Sequence, residues 1–141
     1  MSYSLSFSKA LLATVFIGDK IRQKHYEYIS AKQISEALGM APATTVKILQ
    51  ALSQQDIIET REGAKGGVRL AKKPREITVL DVFEAIENGK PLFQANFHIR
   101  ASGERPTRVQ QAIQDLFGEA ENAMKKKLRA VTIEKLLRAA D

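Results

Sequence analysis

The sequence predicts a mainly α-helical fold with one small β-hairpin and a long C-terminal helix, and three observations predict it. Two short helical patterns, SAKQISEALG and APATTVKILQALSQ, are separated by a turn of three or four residues containing glycine. A glycine-rich pair of strand-like runs, IIETREGAKGGVRLA, follows directly. From Thr107 to Ala130, apolar residues then recur in steps of three and four. In that order these are the parts of a winged helix-turn-helix with an appended dimerisation helix.

The elements follow one another with recognisable chemistry. Residues 5–22 carry Leu5, Leu11, Leu12, Val15, Phe16 and Ile21 over a wide arc, which predicts a mostly buried first helix. The apolar run at residues 10–18 is preceded only by Lys9 and followed by DKIRQK, with no small-residue cleavage site, so it reads as a core helix rather than a leader. Ser30 and Gln33 have the spacing of a capping box, and Gly39 supplies the left-handed residue that ends the helix. Ile34, Ala37 and Leu38 form its expected buried stripe.

Pro42 suits the first turn of the second helix, where its missing N–H has no partner to lose. At 100° per residue Val46, Leu49 and Leu52 cluster as the inner face, with Thr45 and Ile48 at the margins. Ala43, Lys47 and Gln50 lie opposite, flanked by Thr44 and Ala51.

Ile57–Arg61 and Val68–Ala71 read as strands joined across EGAKGG, whose glycines permit a tight tip. Arg61, Lys65 and Arg69 make that loop basic. It lacks the GxxxxGK[ST] spacing of a phosphate-binding loop and leads into a strand instead of a helix. ITVLDVFEAIENG reads as a helix capped by Thr78 and ended by Gly89, with Val79, Val82, Phe83 and Ile86 inward. Residues 90–106 are irregular, and Thr132–Ala140 forms a last short helix.

The long helical run places Val109, Ile113, Leu116, Phe117, Ala120, Met124 and Leu128 along one stripe. A chain of 141 residues has little left to cover it, so a second copy of the same helix is the economical cover. The expected organisation is a DNA-binding domain over residues 1–89. Residues 90–141 then hold the hinge, the dimerisation helix (Val109, Ile113, Leu116, Phe117, Ala120 and Met124) and the terminal helix.

Charge narrows the function class. The net charge is +6, and residues 1–75 hold 12 Lys/Arg against 6 Asp/Glu while residues 76–141 hold ten of each. The whole positive excess sits in the helix-turn-helix half, which is the asymmetry that draws a polyanion by counterion release. The chain has no cysteine, so disulfides, thiolate metal sites and thiol redox chemistry are excluded. No apolar run reaches the length of a membrane span, and a cytoplasmic location is expected. The two histidines, His25 and His98, lie in no metal-binding or nucleophile spacing, and the carboxylates are scattered, so no enzyme, catalytic residue, metal or cofactor is expected.

The segment GAKGGVRLAKKPREITVLDVFEAIE resembles the signature G-x-x-G-G-x-x-L-A-x-x-P-x-x-I-T-x-x-D-V of the Rrf-two (BadM-type) winged-helix transcriptional regulators. ISAKQISEALGMAPATTVKIL and FGEAENAMKKKL are similar to the same family, so the resemblance covers essentially the whole chain. It implies a homodimeric DNA-binding regulator, usually a repressor, on a dyad-symmetric operator.

By that implication Pro42, Ala43, Thr44, Thr45 and Lys47 of the recognition helix, and Lys65, Gly66 and Arg69 of the wing, meet double-stranded DNA. Gln50 and Arg61 join them from the reading of the helix face and the basic loop. The family's cluster-binding members use three cysteines where this chain has none. A cluster-free subgroup has cysteine before proline where this chain has Arg105-Pro106, and Val68 stands where an aromatic is usual.

Two other readings compete with this one. A winged helix can serve protein–protein contact, but such an interface does not call for a basic wing. A small-molecule effector site near residues 90–100 would use Phe93, Phe97 and His98, which otherwise are expected to close the hydrophobic core.

Overall fold

The computed structural model describes residues 5–24, 26–87, 89–95 and 98–141. Among these the elements are α1 (Leu5–Arg22), α2 (Ala31–Leu38), α3 (Pro42–Gln54), β1 (Ile58–Arg61) and β2 (Gly67–Leu70), followed by a single 3₁₀ turn at Pro74–Glu76. The chain ends with α4 (Val79–Glu87), α5 (Glu104–Arg129) and α6 (Ile133–Arg138). His25 and Phe97 lie outside the described residues.

The local signals act where they stand. Ser30 Oγ accepts the Gln33 N–H at 3.1 Å, and Gln33 Oε1 accepts the Ser30 N–H at 2.9 Å, which satisfies two donors at the start of α2. Gly39, at φ 64°, ends the helix. The Ser35 hydroxyl then donates to the Met40 carbonyl at 2.6 Å, tying down the turn before Pro42. Ser35 is therefore buried beside Ile34, while Ala37 points outward, a correction to the expected stripe. Thr78 and Asp81 reciprocate at the start of α4, each accepting the other's backbone N–H.

α1 departs from expectation in an informative way. Its buried residues are the small ones, Ala10, Ala13, Thr14 and Gly18, with Ile17. A Cβ on Gly18 would stand 3.1 Å from Leu70 Cδ1 and 3.4 Å from Leu137 Cδ1, so this face admits close approach by β2 and α6. Thr14 is tolerated inside because its hydroxyl donates to the Ala10 carbonyl at 2.8 Å. The large residues Leu5 and Leu12 face outward instead, Leu12 at 54% exposure.

β1 and β2 pair antiparallel, with Ile58 opposite Leu70, Glu59 opposite Arg69, Thr60 opposite Val68 and Arg61 opposite Gly67. Ile29 adds one bridge on the far side of β2, exchanging N–H···O bonds of 2.9 and 2.8 Å with Val68. This explains the paired glycines of the signature. A Cβ on Gly66 would lie 2.1 Å from the Arg61 oxygen, and one on Gly67, at φ +145°, 2.4 Å from the Ile29 oxygen.

The C-terminus returns to the main core. The Val79 N–H donates to Val131 O and the Ile133 N–H to Ile77 O, both at 2.8 Å. Ile133 and Leu137 are fully buried in the cluster that holds Ile17, Ile34, Leu52 and Val82. α6 thus packs with the helix-turn-helix half although it follows the long helix. α5 begins three residues earlier than its periodicity predicts, with Pro106 in its first turn, where the missing N–H costs no helical bond. Its 26 residues include none that is buried.

Candidate nucleic-acid interface

α3 presents an outer face made of Pro42, Ala43, Lys47 and Gln50, all exposed, with Thr44 half-buried at its edge. Small residues in the first turn leave the helix N-terminus open to close approach. Lys47 makes no ion pair with any described residue. The inner face is Thr45, Ile48, Leu49 and Leu52.

Two residues exchange places relative to the sequence reading. Thr45 is 1% exposed, and its hydroxyl donates to the Ala41 carbonyl at 3.1 Å, so its side chain is withdrawn from any surface. Val46, expected inside, is 45% exposed. Centring the arc on Ile48, Leu49 and Leu52 would have found this. Thr45 stands four and seven residues before Leu49 and Leu52 on the same face, whereas Val46 falls off it.

Val46, Gln50, Ser53 and Gln54 line one wall of a groove of about 540 Å³, and Thr60, Gly67 and Val68 of the hairpin line the other. Among the described residues that line the groove, none is charged. Lys47 adjoins Val46 on the helix, and Lys65 stands at the hairpin tip.

The hairpin arginines are less free than their sequence suggests. Arg61 Nη1 stands 3.4 Å from Glu27 Oε1, and Nη2 donates to the Lys65 carbonyl at 2.9 Å. Arg69 is hydrogen-bonded to Glu59 directly across the strands. That bond to Glu59, above all, holds the Arg69 guanidinium's pKa above its ordinary value. Both guanidinium groups also lie near the Tyr28 ring, at 4.0 Å for Arg61 and 4.6 Å for Arg69. Lys65 is exposed and makes no ion pair with a described residue, while Gly66 shapes the tip through its backbone. Tyr28 drew no reading from the sequence, because nothing local marks an aromatic that meets residues more than thirty positions away.

The stripe on α5 is largely uncovered. Val109 and Leu116 are each 59% exposed, and Ile113, Phe117, Ala120 and Met124 are half-buried. Phe93 does not close the core. It stacks on Phe117 with ring centroids 4.7 Å apart and remains 45% exposed, while His98 is exposed. The Leu92 N–H donates to Glu121 at 2.7 Å, holding the hinge against α5. Among the described residues no helix is long and apolar enough to cross a membrane.

A family model described as "Rrf2: Iron-dependent Transcriptional regulator" matches residues 4–139. The protein rrf2 of Nitratidesulfovibrio vulgaris is 30% identical over 115 residues, covering 79% of this chain and 73% of that one. The HTH-type transcriptional regulator NsrR of Shouchella clausii is 31% identical over 72 residues, where the match spans 48% of its length. Among solved structures, CymR, the global cysteine regulator of B. subtilis, superposes with a TM-score of 0.70 at 19% identity, covering 100% of this chain and 99% of that one.

The iron in the family description does not fit these residues. Iron–sulfur clusters are held chiefly by cysteine thiolates, of which the sequence has none. Among the described residues no three His, Asp or Glu side chains gather as a ligand set. With a match over nearly its whole length and the capped helix pair, double-glycine hairpin and long helix in place, the chain belongs to the Rrf2 family of winged helix-turn-helix, DNA-binding transcriptional regulators, which are not enzymes, as a cysteine-free member.

Proposed function

We propose that two copies of this chain pair through α5 and set their α3 helices into successive major grooves of a dyad-symmetric operator, about 34 Å apart. Occupancy beside a promoter then excludes polymerase, which makes the protein a repressor. The observation that carries the reading is the exposed stripe of α5. A 26-residue helix with Leu116 and Val109 each 59% exposed has an apolar face that a second copy would cover. The outward-facing Leu5 and Leu12 of α1 offer further apolar surface to the same partner.

In this reading the DNA-binding unit is residues 1–89 with α6 docked on it, and the rest of 90–141 supplies hinge and dimer helix. Pro42, Ala43, Thr44, Lys47 and Gln50 approach base edges and phosphates. Thr45 supports the helix from inside, Lys65 and Gly66 approach the duplex at the wing tip, and Arg61 and Arg69 lie behind it. The uncharged groove between α3 and the hairpin gives the intervening backbone strand a place to pass.

Selection of bound fragments from the source genome, paired with sedimentation of the free protein, tests this directly. The expected result is a dimer in solution and an enriched motif with two-fold symmetry. A monomer that enriches single half-sites would overturn the proposed assembly, and absence of any enriched motif would overturn sequence-specific reading.

A further inference from the structure

We propose that Tyr28 is the residue that positions the wing, and that Arg61 and Arg69 act on it rather than on DNA, which leaves Lys65 as the hairpin's phosphate-facing cation. The inference rests on the DNA-binding reading above and adds a positioning residue to it.

The geometry is a bracket between two parts of the chain. Tyr28 stands two residues before Ser30, the cap of α2, so its backbone belongs to the helix-turn-helix. Its ring lies 4.0 Å from the Arg61 guanidinium of β1 and 4.6 Å from that of Arg69 on β2, so one aromatic meets both strands. Arg61 continues the connection outward by donating to the Lys65 carbonyl at 2.9 Å. A chain of contacts therefore runs from the start of α2 through Tyr28 and Arg61 to the hairpin tip. The Ile29–Val68 bridge holds β2 one residue short of the last strand pair, Arg61–Gly67. Beyond that pair the tip's own turn, Gly66 N–H to Gly63 O at 3.0 Å, ties it to nothing outside the hairpin, which leaves its direction to side chains.

Charge supports the same division of labour. Arg61 and Arg69 face Glu27 and Glu59, so this surface of the hairpin is balanced and offers a phosphate little attraction. Drawing either arginine onto DNA would strand its carboxylate close to the backbone phosphates. The tip itself carries charges of both signs, Glu62 and Lys65, both exposed. Which of them meets the duplex depends on tip orientation, and orientation is what the bracket sets.

The test compares Tyr28→Phe, Tyr28→Ala, Lys65→Ala and the Tyr28→Ala/Lys65→Ala double variant on duplex operator DNA across a salt series. Tyr28→Phe keeps the ring and should match the parent protein. Tyr28→Ala should bind about tenfold more weakly, with the slope of log K against log salt reduced by about one, the signature of one lost phosphate contact. On the Lys65→Ala background, Tyr28→Ala should cost nothing further. Additive losses in the double variant, or Tyr28→Phe as damaging as Tyr28→Ala, would overturn the proposal.

Amide hydrogen exchange of the DNA-free full chain gives an independent arm. Tyr28→Ala should speed exchange at residues 62–66 while residues 48–52 of α3 stay as protected as in the parent, and unchanged exchange at the tip would overturn the bracket. A parent protein that ignores duplex DNA would refute the DNA-binding reading instead, and the exchange arm would still report on the bracket itself.

Discussion

The hairpin and the long helix are treated oppositely by the same chain. β1 and β2 have four residues each, yet they are held by Ile29 on one edge, by buried Ile58 and Val68 beneath and by the Tyr28 bracket above. α5 has 26 residues and buries none of them, although Glu121 and Lys125 tie it to the hinge and to Glu84 of α4. Length therefore does not measure how firmly an element is held; what its apolar side meets does. In the proposed dimer, the contrast separates a part that is complete in one copy from a part that a second copy completes.

The largest way to break that contrast lies in the core. Leu137→Ala should cost about 3 kcal/mol of stability, because a fully buried leucine leaves a cavity on the small-residue face of α1. A midpoint in urea that hardly moves would show that α6 is dispensable to the helix-turn-helix half. Next comes Leu116→Glu, which places a charge on the exposed stripe without disturbing a core. It should yield monomers in sedimentation and about 100-fold weaker operator binding, since the second helix loses its tether. A variant that still runs as a dimer would move the interface off α5.

Ser30→Ala removes one partner of the capping box and should cost about 1 kcal/mol in denaturant unfolding. No change there would mean that Gln33 and solvent satisfy the start of α2 without it. The smallest effect is expected from Thr45→Val. It should leave operator affinity within about twofold because the side chain is buried and bonded to the Ala41 carbonyl, while Lys47→Ala, on the outer face, should weaken binding and its salt dependence. Equal losses for the two would return Thr45 to the interface.

What the sequence determined by itself is whatever its own neighbours enforce. Ser30 with Gln33, Gly39, Pro42, and Thr78 before α4 act over a few residues, so helix starts and stops were legible one by one. The double glycine was legible as a hairpin, and the three-and-four spacing beyond residue 106 as a long amphipathic helix. The exposed face of α3 was legible in Ala43, Lys47 and Gln50, because a helix face follows from spacing alone.

Only the tertiary structure decided the features whose cause lies elsewhere in the chain. Thr45 went inside and Val46 outside because the core centres on Ile48, Leu49 and Leu52. The small side of α1 was buried because Leu70 and Leu137 press against Gly18, leaving Leu5 and Leu12 outward. α6 left the long helix for the core through backbone bonds to Ile77 and Val79. The basic wing proved to be partly neutralised, because Glu27, Glu59 and Tyr28 reach its arginines from positions no local pattern connects. Spacing along a chain reports which face a residue lies on, but burial and pairing are set by what packs against that face.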